Sequence, residues 1–367
     1  MNEPTNFSVL RGKRRWRPGR WTLAALLALT TGCAQPQAEV TPPSEIKPPS
    51  DVKPPVEQPI TKPLPPADIL LNADPGLLVF SGTRDGTGAG ASAVQTVAFE
   101  NSSGAAVKLT GLTFLGDAGT FELVSPPAFP QTLLAGASLN LKVKLLPGAA
   151  TGVLRSTLRA VGDNAPVGEV NLSGLRAVGL EGSNEPPLAQ IVDALNYGTN
   201  VGSSALILGT GAGLIGDEVA APMFERASAG PVTLRPVARY SPDGPSAYGS
   251  FVLDGGAVRS QERAAMVSSA HNQTLNPPLQ SGQTAFDPGS AAFGIYLAPN
   301  DYAKQATYTL DRLNAGPTRH AVRAYPLKDR AGKVVPNSYL LAFEPSENGD
   351  YQDVVFVLEN VRPVAAQ

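Results

Sequence analysis

From Leu77 to Val361 the chain is a succession of short apolar or alternating runs, each closed by a turn rich in Gly, Asn, Asp or Pro. This constrains the fold more than any other feature. Runs of this length are too short for independent helices and match the ordinary length of strands. In segment 68–180 strands are expected at 77–81, 93–100, 107–115, 120–124, 138–146, 152–161 and 168–175. Thr96, Ala98 and Glu100 alternate with Val97 and Phe99, as one half-buried strand requires. About seven such strands with regular turns point to an antiparallel sandwich. Segment 181–367 opens on Pro186-Pro187 and a single helical stretch, with Leu188, Ile191, Val192 and Leu195 on one face. Strands are then expected at 232–240, 247–253, 292–297, 320–325, 339–344 and 354–361. Strand and helix do not alternate, which argues against an α/β enzyme and for a second, jelly-roll-like sandwich. The expected class is therefore all-β, with two β-sandwich domains.

What precedes the strands is of another kind. Arg11, Lys13, Arg14, Arg15, Arg17 and Arg20 form a basic region, and Trp21 to Leu29 an apolar one. A helix of about nine residues rises roughly 14 Å, too little for a hydrocarbon core of about 30 Å, so residues 1–32 read as a cleavable export signal. Cys33 follows directly and is the only cysteine, so no disulfide within the chain supports the fold. Residues 1–32 hold six of the 29 basic residues and one of the 31 acidic ones, which leaves a net charge of −7 beyond them. Such a surface is not built for nucleic acid. Pro-Pro pairs at 42, 48, 54 and 65 make segment 33–67 a disordered, proline-rich tether; extended polyproline at ~3.1 Å per residue reaches roughly 100 Å.

Leu29-Thr30-Thr31-Gly32-Cys33 resembles the lipobox of bacterial lipoproteins, with Thr30 where that family usually has Leu. The resemblance implies that Cys33 is acylated and becomes the mature N-terminus, anchored to a membrane by its lipid. Ala34 is compatible with the outer membrane or the cell surface. An ordinary signal peptide with an incidental cysteine is the alternative.

Val97-Ala98-Phe99-Glu100-Asn101-Ser102-Ser103-Gly104, Leu134 to Leu139 and Val170-Asn171-Leu172-Ser173-Gly174 resemble the immunoglobulin-like modules of the ASPM/SPD-2/Hydin type. That family implies a spacer or adhesion role and no chemistry.

The richest stretch lies near the C-terminus. An apolar strand ends at Glu344, a polar turn contains Asn348 and Asp350, and a second apolar strand starts beside Asp353. Hard oxygen ligands from a compact loop suit Ca²⁺, which makes Glu344, Asn348, Asp350 and Asp353 the candidate metal ligands. A solvated hairpin turn with charged flanks is the other reading. The stretch, with 287–296 and 320–332, resembles calcium-associated jelly-roll modules of secreted bacterial proteins, although Pro345 and Gln352 depart from their usual acid and Asn. The resemblance implies a calcium loop and an association with sugar-related domains, hence envelope or extracellular polysaccharide as a partner. Among the tyrosines, Tyr240, Tyr248, Tyr302 and Tyr308 are candidates for a sugar platform.

Other chemistry finds little support. Gly211-Ala212-Gly213-Leu214-Ile215-Gly216 fits a dinucleotide fingerprint but lacks a following helix, so a glycine-rich turn is expected. His320 near Asp329, or His271 near Asp287, lacks a nucleophile-elbow sequence, and two histidines cannot supply a His-rich zinc site. The expected function is a non-enzymatic envelope lipoprotein with a structural, adhesive or ligand-binding role; a secreted carbohydrate-active enzyme or its accessory binding module is the alternative.

Overall fold

The computed structural model describes residues 70–86, 94–117, 119–163, 165–268 and 273–364, which belong to one compact unit. The segment expected to be an export signal, Cys33, the proline-rich segment and His271 lie outside the described residues. Among the described residues no helix is long and apolar enough to cross a membrane.

The protein is all-β. Its first sandwich contains β1 (Leu71–Asp74), β2 (Leu77–Thr83), β3 (Gln95–Asn101), β4 (Val107–Leu109), β5 (Gly111–Gly116), β6 (Phe121–Val124), β7 (Gln131–Leu133), β8 (Ser138–Leu145), β9 (Gly152–Gly162) and β10 (Ala165–Ala177). One sheet runs β1-β3-β8-β6 and the facing sheet β2-β10-β9-β5. This is the immunoglobulin order, with its first strand divided between the sheets so that β2 pairs in parallel with β10. The alternation is sharp in β9, where Leu154, Ser156, Leu158 and Ala160 face inward and Arg155, Thr157 and Arg159 face outward. Leu78, Phe80, Val97, Phe99, Leu141, Val143, Leu158 and Leu172 fill the space between the sheets. Phe80 and Phe121 meet across it at 5.4 Å.

The run 107–115 is two strands, not one. Val107 and Leu109 turn inward and pair with β7, whereas β5 pairs with β9. The change of partner occurs at Thr110, whose N–H and hydroxyl both donate to the Val161 carbonyl.

After β10 the chain passes through a 3-10 turn, Gly182–Asn184, into α1 (Leu188–Ala194). Seven residues are too few for a helix stable by itself. Burial of Leu188, Ile191 and Val192 supports it, at about 1.5–3 kcal/mol for each such side chain.

The second, jelly-roll-like sandwich contains β11 (Met223–Arg226), β12 (Val232–Tyr240), β13 (Ser246–Asp254), β14 (Ala257–Val267), β15 (Gln273–Leu275), β16 (Leu279–Gly282), β17 (Ala285–Phe286), β18 (Phe293–Leu297), β19 (Thr307–Tyr308), β20 (Val322–Lys328), β21 (Val334–Phe343), β22 (Val354–Glu359) and β23 (Val361–Val364). One sheet runs β16-β14-β13-β18-β11-β23, with β19 against β18; the other runs β15-β12-β22-β21-β20, with β17 against β12. Phe224, Phe293, Ile295, Leu341, Phe343, Phe356 and Leu358 form the core between them.

The second sheet is covered on both faces. Val355, Val357, Leu340 and Ala342 point away from the inter-sheet core and pack with α1 and with Leu175 of β10. That is why β22 is apolar at every position from Val354 to Leu358 instead of alternating. The run 354–361 is divided at Asn360, whose φ of 63° turns the chain from one sheet into the other. The sandwiches also touch through Ser81 Oγ, which lies 2.7 Å from Thr274 Oγ1 and accepts the Leu275 N–H at 3.1 Å.

Candidate functional site

Glu344 follows the last residue of β21 and is wholly buried. Its position is fixed by the loop it closes. Oε2 accepts the backbone N–H groups of Gly349 (3.0 Å), Asp350 (3.0 Å) and Tyr351 (3.3 Å), and Oε1 accepts that of Ser346 (3.1 Å). The wrap requires left-handed backbone at Gly349 (φ 78°) and at Tyr351 (φ 58°). A Cβ at Gly349 would also lie 3.1 Å from the Gly209 backbone, so glycine is needed there twice over.

The loop returns Asp350 and Asp353 beside Glu344. Ligand atoms of all three carboxylates lie within 4.8 Å of one another, a buried acidic cluster able to hold a metal ion. Asp350 and Asp353 are 2 % and 6 % exposed, so water does little to screen them. Burial pushes Glu344 up to about 7, with the Asp350 charge adding to the rise. Burial raises Asp350, and it raises Asp353 well above the usual carboxylate range, with the Glu344 charge next in effect. Arg239 is the cation acting on Asp353, but its guanidinium donates to Ser241 Oγ and to the carbonyls of Pro242, Gly244 and Ser268.

Asn348 is placed differently from the three acids. It is exposed; its Nδ2 donates to Asp350 Oδ2 at 2.6 Å, and its Oδ1 accepts the Asp350 N–H at 3.4 Å. It therefore orients Asp350. Two groups with no local sequence signal join the cluster. Glu185, 167 residues before Gln352, accepts the Gln352 Nε2–H at 2.8 Å, and Gln273 Nε2 donates to Glu185 at 2.6 Å. Burial raises Glu185 to about 7.

The donor set is tested by its unsatisfied atoms. Asp353 Oδ2, Gln352 Oε1 and Gln273 Oε1 are buried with no hydrogen-bond partner among the described residues. Buried acceptors are almost always paired, and leaving one unpaired costs about 1–3 kcal/mol. These three atoms are oxygens next to a cluster of carboxylates, so a hard cation fits the site.

A second buried ionic group lies nearby. Arg323 Nη1 donates to Glu218 Oε2 at 2.5 Å and to the Gly213 carbonyl at 3.1 Å; Nη2 donates to the carbonyls of Gly209 (3.0 Å) and Gly211 (3.2 Å). The glycine-rich turn thus presents carbonyl oxygens to a cation, the opposite polarity from a phosphate-binding loop, which presents N–H groups. The guanidinium carbon sits 4.5 Å from the centre of the Tyr351 ring.

His320 bonds Asp311 (2.9 Å) and Glu218 (2.7 Å), whereas Asp329 accepts the N–H groups of Ala331 and Lys333 in a turn. The hydrogen bonds of His320 to Asp311 and then to Glu218 raise it from 6.5 to about 9. A raised folded value means that the contribution of His320 is complete below pH 6.5 and is lost as pH rises toward about 9. The melting temperature should fall across that window, and His320→Gln should flatten the slope. An equal slope in both proteins would remove His320 as its source.

Of the four candidate tyrosines for sugar stacking, Tyr240 and Tyr248 are buried in the core, Tyr302 has a buried hydroxyl, and Tyr308 stands edge-on to Phe251 at 5.2 Å.

No protein-family model matches the sequence, and no curated protein sequence matches it. Among solved structures, the chain is similar to the secreted serine protease VesC from Vibrio cholerae, with a TM-score of 0.22 and 10 % identity over 77 % of this chain. The match spans 48 % of the protease, about half its length. The YadV chaperone has a TM-score of 0.22 and 12 % identity, covering 66 % of this chain and 97 % of its own. The CupB2 chaperone of Pseudomonas aeruginosa has a TM-score of 0.19 and 11 % identity, covering 59 % and 90 %. Similarities this low carry no argument about function.

Proposed function

We propose that this chain is a bacterial cell-envelope lipoprotein whose two sandwiches form a calcium-stabilised scaffold with an adhesive or ligand-binding role. The reading is carried by the buried oxygens of Asp353 and its neighbours that lack a partner among the described residues. Asp350 and Asp353 are the direct ligands, and Glu344 shapes the loop that holds them. Ca²⁺ suits the set because it takes 6–8 oxygen ligands in flexible geometry, whereas Mg²⁺ demands a stricter octahedron and keeps several waters. Bound there, the ion neutralises carboxylates that otherwise repel. Calorimetric titration should show saturable Ca²⁺ binding with a dissociation constant at or below about 1 mM, the range of extracellular modules. Absence of binding to the full chain would overturn the calcium reading.

The envelope location rests on the leader and Cys33. Cys33→Ser should move the protein from the membrane fraction to the soluble exported fraction. Unchanged fractionation would exclude the lipid anchor.

The ligand-binding side of the role has a suitable surface. An open cleft of about 400 Å³ is lined by Tyr197, Thr199, Asn200, Ser203, Ser204 and Arg330. Hydroxyl, amide and guanidinium groups around one tyrosine suit saccharide hydroxyls. Retention on an envelope polysaccharide column without turnover supports this role, and release of reducing sugar would replace it with an enzymatic one.

A further inference from the structure

We propose that the cation site is tied to the junction between the sandwiches through Glu185, which holds Gln273 and Gln352 beside the acidic cluster, so that a bound divalent cation clamps the two sandwiches together. This rests on the calcium reading above. Glu185 lies between β10 and α1, outside the loop that carries the other acids, and is 8 % exposed. A single amide ties it to that loop: Gln352 Nε2 donates to Glu185 at 2.8 Å and to Asp350 Oδ2 at 3.3 Å. The other oxygen of Glu185 accepts from Gln273 Nε2 at 2.6 Å. Gln273 begins β15, whose next residue, Thr274, meets Ser81 of the first sandwich.

The unpartnered oxygens lie on these same residues. Gln273, Gln352 and Asp353 are 4 %, 0 % and 6 % exposed, and each has one buried oxygen with no hydrogen-bond partner among the described residues. The amide nitrogens of Gln273 and Gln352 satisfy both oxygens of Glu185, which leaves the two amide oxygens free to serve a cation as neutral ligands. The junction, β15 and the C-terminal loop are thus joined through one carboxylate and two amides.

The clamp follows from unequal anchoring. Glu344 is held by four backbone N–H groups, so the loop keeps its shape when the cation leaves. Glu185 is held by two side-chain amides alone. When the cation is removed, the repulsion among these carboxylates is relieved most easily by moving Glu185 and the junction with it.

The test uses the full chain and Ca²⁺ itself. Glu185→Gln keeps the size of the side chain, retains an acceptor and removes one charge. Its Ca²⁺ affinity is expected to fall about tenfold or more, because the variant removes a negative charge next to the site and one of the acceptors that fix Gln273 and Gln352. Hydrogen exchange on the wild-type chain should show amides of 178–187 and 273–275 protected in Ca²⁺ and released by a chelator; this arm needs no variant. If the wild type binds no Ca²⁺, the calcium reading fails and the clamp with it. If the wild type binds Ca²⁺ but Glu185→Gln binds equally well, or if exchange at the junction ignores Ca²⁺, the clamp is overturned while the loop site stands.

Discussion

Replacing Arg323 by Met should destabilise the protein by about 3–5 kcal/mol, the usual cost of breaking a buried ion pair from one side. The size follows from what is left behind. Arg323 is 1 % exposed, and Glu218 sits with it away from water. Without the guanidinium, Glu218 retains only His320 and the Ile215 N–H, with no full counter-charge fixed beside it, and the carbonyls of Gly209, Gly211 and Gly213 lose their common donor. The loss reaches the acid loop too, since Arg323 covers the Tyr351 ring and the N–H groups of Leu208 and Gly209 bond the Gly349 carbonyl. Urea unfolding of Arg323→Met would measure the effect. Arg323→Met with Glu218→Gln should cost less than the sum of the two singles, because the second change removes the stranded charge. A loss under about 1 kcal/mol for Arg323→Met would mean that water reaches Glu218 and that the pair behaves as a surface contact.

Much of this fold is legible in the sequence where alternation is strong. The expected 232–240 coincides with β12, and 152–161 and 138–146 lie within a residue of β9 and β8. The missed elements have physical reasons. β14 (Ala257–Val267) has no buried residue before Ala265, so the exposed Arg259, Glu262 and Arg263 hide its period. The two-residue β17 and β19 and the three-residue β7 are too short to show one. Leu206-Ile207-Leu208 is apolar without being a strand, and Ile207 is largely exposed.

The candidate site divides the same way. Glu344, Asp350 and Asp353 come from one local turn, and their convergence follows from that turn. Glu185, Gln273 and Arg239 reach the cluster only because sheets and sandwiches bring distant segments together. Nothing in Glu185-Pro186-Pro187 distinguishes a buried carboxylate from a solvated one. The glycine-rich turn at 209–216 is visible in the sequence, but its partner, Arg323, lies 110 residues beyond Gly213.

Calcium should raise the melting temperature of the wild-type chain, and the acidic residues should divide by the sign of their effects. A ligand at about 100 times its dissociation constant adds roughly 2.7 kcal/mol, and at about 2–4 °C per kcal/mol the shift is roughly 5–11 °C. Asp353→Asn should abolish most of that gain. In a chelator, however, the same variant should melt above wild type, because it removes one of several buried like charges whose Oδ2 has no hydrogen bond to lose. Glu344→Gln should behave in the opposite way. It weakens an acceptor of four backbone N–H groups and so lowers stability with or without Ca²⁺. Parallel curves for Asp353→Asn and wild type under both conditions would remove Asp353 from the ligand set. Equal behaviour of Asp353→Asn and Glu344→Gln would show that the two carboxylates share one role, contrary to their different hydrogen bonding. The crossing of the Asp353→Asn curves separates a cation site from a merely acidic turn, since only a site occupied by a cation makes the same carboxylate favourable in one condition and unfavourable in the other.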